Sequence, residues 1–190
     1  MIVLSEKSYK KGGRLSRLAV FSSFFAALIF ISTAYLPRIP TALGYVHLGD
    51  GFVLLAAALL PTPYAVAAAA VGAGLADLLT GYAIWIPATV IIKALMTLCF
   101  SHRSKCFSAR NITGIVPATL INAAGYYFFQ AAFISQSLIV PLADLPFNVI
   151  QTLVGGIVFL LVGSIFDRSP SLRAMIPSAK HKDDEGDRLQ

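Results

Sequence analysis

Three ionisable side chains, Asp50, Asp77 and Lys93, lie within strongly apolar stretches. An unpaired charge in hydrocarbon is costly, so each must be paired, directed at a ligand or part of an ion path. Asp77 falls five residues before Tyr82, and Lys93 falls six residues after Pro87. At about 1.5 Å per helical residue both sit roughly 8 to 9 Å below the same membrane boundary, which predicts an ion pair between them. Direct contact with a ligand is the other role open to each. A second group is uncharged: Asn122, Tyr126 and Gln130 recur every four residues, and Asn148, Gln151 and Gly155 follow at spacings of three and four. Each set shares one helical face. Amide and hydroxyl groups converging among apolar and aromatic walls suit a small flat heterocycle, with hydrogen bonding between helices as the alternative.

Reactive chemistry has no comparable support. The chain lacks G-x-x-x-x-G-K-[ST], H-E-x-x-H and G-x-S-x-G, and His47, His102 and His181 fall in three separate segments. Cys99 and Cys106 flank a basic loop without a nearby His pair. No catalytic residue, metal site or cofactor is expected, and ATP-driven work would need another protein.

The elements that must position these groups are set by composition. Apolar residues make up 57% of the 190, and charged residues 13%, which excludes an ordinary soluble domain. The formal charge of +6 comes from Lys and Arg grouped between apolar runs. It marks topology and not a nucleic-acid partner. Apolar runs at about 18–36, 48–60, 64–82, 87–100, 112–134 and 142–165 predict an all-α membrane protein with six transmembrane helices in one bundle. Residues 1–17 form a basic cytoplasmic segment, 18–166 the membrane domain, and 167–190 a polar cytoplasmic tail expected to be disordered. With both termini cytoplasmic, thirteen of the fifteen Lys and Arg lie inside, Arg38 lies outside and Lys93 lies within a span. Tyr45, Tyr82 and Trp85 then fall at the outer interface.

From residue 65 to 76, nine of twelve residues are Ala or Gly. Such a helix can be approached closely on every side, which places it at the bundle centre. Ala19, Ser23 and Ala27 form a narrower small-residue stripe on the first span, suited to a docking seam or to packing within the subunit.

The segment from Gly44 through Tyr45, His47 and Asp50 precedes the Gly/Ala helix, which ends in Leu75-Ala76-Asp77-Leu78-Leu79-Thr80-Gly81-Tyr82. Pro87 and Ile92-Lys93-Ala94 follow. In combination these residues resemble the substrate-binding S components of energy-coupling factor (ECF) vitamin transporters, in the riboflavin-transporter-like branch. The likeness is strongest over 44–95, and the span layout extends it over 17–166. The resemblance implies a subunit in the plasma membrane of a prokaryote that captures a vitamin-like small molecule in the outer half of the lipid bilayer. A transmembrane coupling protein and two ATPase subunits would drive uptake, with the subunit toppling in the bilayer to release its ligand. The family's Ala-xxx-Ala docking motif maps onto Ala19, Ser23 and Ala27, with Ser23 departing from it. Its pocket maps onto Tyr45, His47, Trp85, Lys93, Tyr126, Gln130, Asn148 and Gln151, where Tyr45 and Trp85 would stack on an aromatic ligand and the amides would read its polar ring atoms. His47 is equally suited to a structural role in the loop. Riboflavin, a thiamine pyrimidine precursor and a pyridoxine-like compound all fit this pattern. The alternatives are a self-sufficient secondary transporter or channel, and a membrane scaffold protein.

Overall fold

The computed structural model describes residues 2–41 and 45–176, with side chains described from residue 12 onward. Gly44, His181 and the tail after 176 lie outside the described residues. The described residues form seven α-helices: α1 Ile2–Ala34, α2 Gly49–Leu59, α3 Thr62–Leu79, α4 Ile86–Thr97, α5 Ala109–Phe129, α6 Leu145–Arg168 and α7 Pro170–Met175. A two-residue ribbon follows α1, pairing Ile39 with Val46 and Pro40 with Tyr45.

Four helical segments are long and apolar enough to cross a bilayer: Gly12–Ala34, Thr62–Leu79, Ala109–Ile134 and Val140–Arg168. The second and fourth expected spans are shorter. At about 1.5 Å per residue, the 11 residues of α2 reach about 16 Å, roughly half a hydrocarbon core. Pro61-Thr62-Pro63 ends α2 abruptly because a prolyl residue cannot continue the preceding ladder.

The distribution of polarity is that of a membrane protein. Val71, Leu75 and Leu78 on α3, Ile91 and Leu95 on α4 with Leu98 just past its end, and Ile150, Leu153, Ile157, Leu161 and Ile165 on α6 are exposed, each set along one stripe. Asp50, Lys93, Asn111, Asn122, Gln151 and Thr152 are buried. Lipid tolerates the first set and no water is present to solvate the second, so polar groups satisfy one another inside.

The helix enclosed on all sides is α2, not the Gly/Ala-rich α3 expected at the centre. Ten of its eleven residues are buried, among α1, α3, α4 and α6, whereas α3 buries eight of eighteen. The small residues of α3 serve two specific approaches. A Cβ on Gly72 would lie 2.5 Å from the Ala26 carbonyl of α1, and one on Gly74 would meet Val90 of α4 at 3.1 Å. The crossing of α2 and α6 is equally tight, since a Cβ on Gly155 would lie 2.9 Å from Asp50 Cβ and from Gly51 N.

Ala19, Ser23 and Ala27 are all exposed, while Leu18, Ser22, Phe25 and Ile29 face the bundle. The stripe is therefore not used for packing within the subunit. The polar tail also departs from expectation, because its described part, up to Ile176, is ordered into the end of α6 and α7. Asp167 accepts the backbone N–H groups of Cys106 and Phe107 at 3.0 and 2.7 Å, and Arg173 donates to Asp167 at 2.6 Å and to the Ser104 carbonyl at 2.8 Å. These charge-assisted bonds fasten the chain end to the 101–108 loop.

Candidate functional site

One end of the bundle is opened by the way its helices begin and end. Helix α3 stops where Gly81 takes φ +86° and Tyr82 N–H returns to the Asp77 carbonyl at 2.8 Å, a reversal that glycine makes without steric cost. The chain then passes through a 3₁₀ turn, Ala83–Trp85, directly into α4. Helix α5 widens into a π turn over Gln130–Ile134, which alters the direction of its last side chains. Helix α6 begins after a 3₁₀ turn, Val140–Ala143, with Pro146 in its first turn.

These termini and the ribbon surround a cavity of about 460 Å³, its open mouth included. Thr41, Tyr45, Val46 and His47 line it from the ribbon side. Asp77, Tyr82, Trp85 and Thr89 come from the α3–α4 side, and Tyr126, Gln130, Asp144, Phe147, Asn148 and Gln151 from the α5–α6 side. Seven of the eight positions expected around a ligand are thus brought together: Tyr45, His47, Trp85, Tyr126, Gln130, Asn148 and Gln151. The eighth, Lys93, is absent from the lining.

Lys93 lies beneath the cavity and is fully buried. Its ammonium donates to Asp50 Oδ1 at 2.6 Å and to Asn122 Oδ1 at 2.7 Å, with Nζ 5.3 Å from the centroid of the Tyr126 ring. Asp50 Oδ2 accepts from Gln151 Nε2 at 3.1 Å and Thr152 Oγ1 at 3.2 Å. The expected Asp77–Lys93 pair is therefore replaced by Asp50–Lys93. Helix α2 occupies the centre and delivers its first-turn carboxylate directly to the lysine. Asp77 instead accepts the Tyr45 hydroxyl at 3.1 Å.

The network also absorbs one of the expected ligand-reading amides. Gln151 Oε1 accepts His47 N–H at 3.2 Å while its Nε2 serves Asp50, so both ends are occupied by protein. His47 Nδ1 accepts Gly49 N–H at 3.1 Å, which puts the proton of the neutral ring on Nε2. Burial drives its pKa down to about 4. Burial likewise raises the Tyr45 hydroxyl to about 12.

Aromatic rings form the walls. Trp85 meets Tyr126 edge-on at 5.9 Å and Phe129 at 5.5 Å, and Tyr45 meets Tyr82 at 4.7 Å. Trp85 is buried and lines the cavity. Thr89, whose hydroxyl lies 3.0 Å from that of Tyr126, was not anticipated as a lining residue. Its spacing of four from both Trp85 and Lys93 placed it on their face. Thr41 and Phe147 carried no such signal.

The fold and this one-ended cavity define a multi-pass membrane protein able to receive a small molecule among aromatic and amide side chains. Residues 16–167 match the family model of the ECF-type riboflavin transporter, S component, and the chain belongs to that family. The family is one of vitamin-uptake transporter subunits and not of enzymes. No match was found among curated proteins.

Proposed function

We propose that this protein captures a vitamin or vitamin precursor from the outer side of the plasma membrane for ATP-driven uptake by partner subunits. The observation that carries the reading is the cavity itself, in which aromatic walls, amides and carboxylates converge in a chain of this family. Riboflavin is the first ligand to test, because the family model is described by it. A transmembrane coupling protein and two ATPases supply the energy, and the exposed stripe of Ala19, Ser23 and Ala27 is where α1 docks on them.

All six longer helices are embedded in the bilayer, with α2 sheltered from lipid over nearly all its length. Both termini lie in the cytoplasm. The cavity end carries Arg38, whereas Arg14, Arg17, Arg103, Lys105, Arg110, Arg168 and Arg173 belong to the opposite end, so the excess of positive charge on the inner side points the cavity outward. Purified and reconstituted alone, the protein should bind riboflavin saturably yet accumulate none in vesicles. Accumulation should appear only with the coupling protein, the ATPases and ATP. Concentration of solute by the isolated protein under a pH gradient would establish a secondary transporter instead, and no saturable binding of any vitamin would refute the capture role.

A further inference from the structure

The cavity contains two acceptor atoms that have no hydrogen-bond partner among the described residues. Asp77 Oδ2 and Gln130 Oε1 are buried without a hydrogen-bond partner, on residues only 6% and 3% exposed, and both residues line the cavity. The Thr89 hydroxyl, which also lies 3.0 Å from that of Tyr126, has one proton and so answers at most one lone pair of the Asp77 carboxylate. An unpaired buried oxygen is costly, more so on a carboxylate, and both groups could have been solvated or paired in an otherwise tightly satisfied interior. A ligand in the cavity is placed to supply their partners, and acceptors call for N–H or O–H donors. The two atoms belong to α3 and to the π turn after α5, so one ligand answering both bridges opposite walls.

Charge narrows the class further. Among the described residues lining the cavity, the charged side chains are Asp77 and Asp144, and no Lys or Arg joins them. Asp144 Oδ2 accepts Gln130 Nε2 at 3.2 Å, which also holds the Gln130 amide with its oxygen turned to the unpaired position. The nearest cations are committed elsewhere: Lys93 is held by Asp50, and Arg38 stacks over the Tyr45 ring at 5.0 Å, outside the lining. A phosphate group in this space would face the Asp77 carboxylate with no Lys or Arg among the described lining residues to offset it.

We infer that the cavity selects an uncharged or cationic ligand that donates N–H or O–H groups to Asp77 and Gln130, and discriminates against the phosphorylated form of the same molecule. The inference rests on the capture role proposed above and names the two residues that set its specificity. The test compares each free vitamin with its phosphate ester on the purified protein in nanodiscs: riboflavin with its 5′-phosphate, thiamine with its monophosphate, and pyridoxine with its 5′-phosphate. For at least one pair the free compound should bind at least about tenfold more tightly, the ratio that about 1.4 kcal/mol supplies. In Asp77→Asn the free compound should bind more weakly and the preference against the ester should shrink. Gln130→Met, which removes the acceptor but no charge, should weaken both members of the pair alike. A free compound and its ester binding equally to the unmodified protein would overturn the inference while leaving the capture role intact. So would a preference unchanged in Asp77→Asn, since that ratio would then reflect bulk and not charge. Failure of all six compounds to bind would instead overturn the capture role on which the inference rests.

Discussion

Replacing Lys93 by Met should test the buried network under the cavity most directly. Asp50 and Lys93 are both fully buried and 2.6 Å apart. At an effective dielectric constant of about 20 their gross attraction is about 6 kcal/mol, most of it offset by the desolvation of the two ions. Removing the lysine alone leaves the desolvation of Asp50 without its counter-ion, for an expected loss of about 3–5 kcal/mol. The Asn122 Oδ1 atom, which now accepts from Lys93 at 2.7 Å, is orphaned as well. Asp50→Asn should cost a similar amount by stranding the ammonium. In the double variant neither charge remains, and the new amide keeps Gln151 and Thr152 as neighbours while being able to donate to Asn122. The double variant should therefore lose less than the sum of the two single losses by at least about 2 kcal/mol. Reversible unfolding in mixed micelles, followed by circular dichroism, measures all four corners of the cycle. Losses that add to within about 0.5 kcal/mol would refute the pairing argument. The corresponding cycle between Asp77 and Lys93 should show markedly weaker coupling, because Asp77 accepts from Tyr45 and not from Lys93.

The neutral His47 ring has a pH consequence. With its folded pKa lowered from 6.5 to about 4 by burial, the unfolded chain takes up a proton below pH 6.5 that the folded chain refuses. Stability should fall as pH drops from 6.5 to about 4, by about 3 kcal/mol at most from this group. Unfolding measured over that range should lose this component in His47→Gln, and identical pH profiles would refute it. Gly155→Ala should cost about 1–3 kcal/mol and weaken ligand binding, since its methyl group meets the Asp50 and Gly51 backbone and would separate α2 from α6. An alanine variant with unchanged stability would show that the crossing can relax. Cys106 is buried, and burial first, then Asp167, raises its thiol pKa to about 12. It should resist maleimide at neutral pH until the protein is unfolded, and rapid labelling of the native protein would disprove the fastening of its loop.

The family and much of the cavity were legible in one dimension for identifiable reasons. Hydrophobic runs report directly on burial in lipid, so α2 to α6 followed to within a few residues, whereas α1 begins at Ile2, well before the apolar run that marks its span. Tyr126 and Gln130 share a face because helical periodicity puts residues four apart side by side, and the structure has both on the lining. Periodicity says nothing about which face of which helix meets another, however. Depth alone made Asp77 as good a partner for Lys93 as Asp50. Only the central position of α2, reached through close crossings at Gly51 and Gly155, decided between them.

Other choices also belonged to the tertiary structure. The two orphan oxygens could not be read from residue type, because Gln151 and Gln130 are the same residue in similar apolar surroundings. One has both ends occupied by His47 and Asp50, and the other is aimed by a π turn and by Asp144. Composition and spacing by themselves determined a helical membrane protein, its family resemblance and the inventory of polar groups it hides. Which of those groups hold the bundle together and which are left without a partner at the cavity was settled by packing, since a hydrogen bond depends on ångström-scale positions that no periodicity encodes.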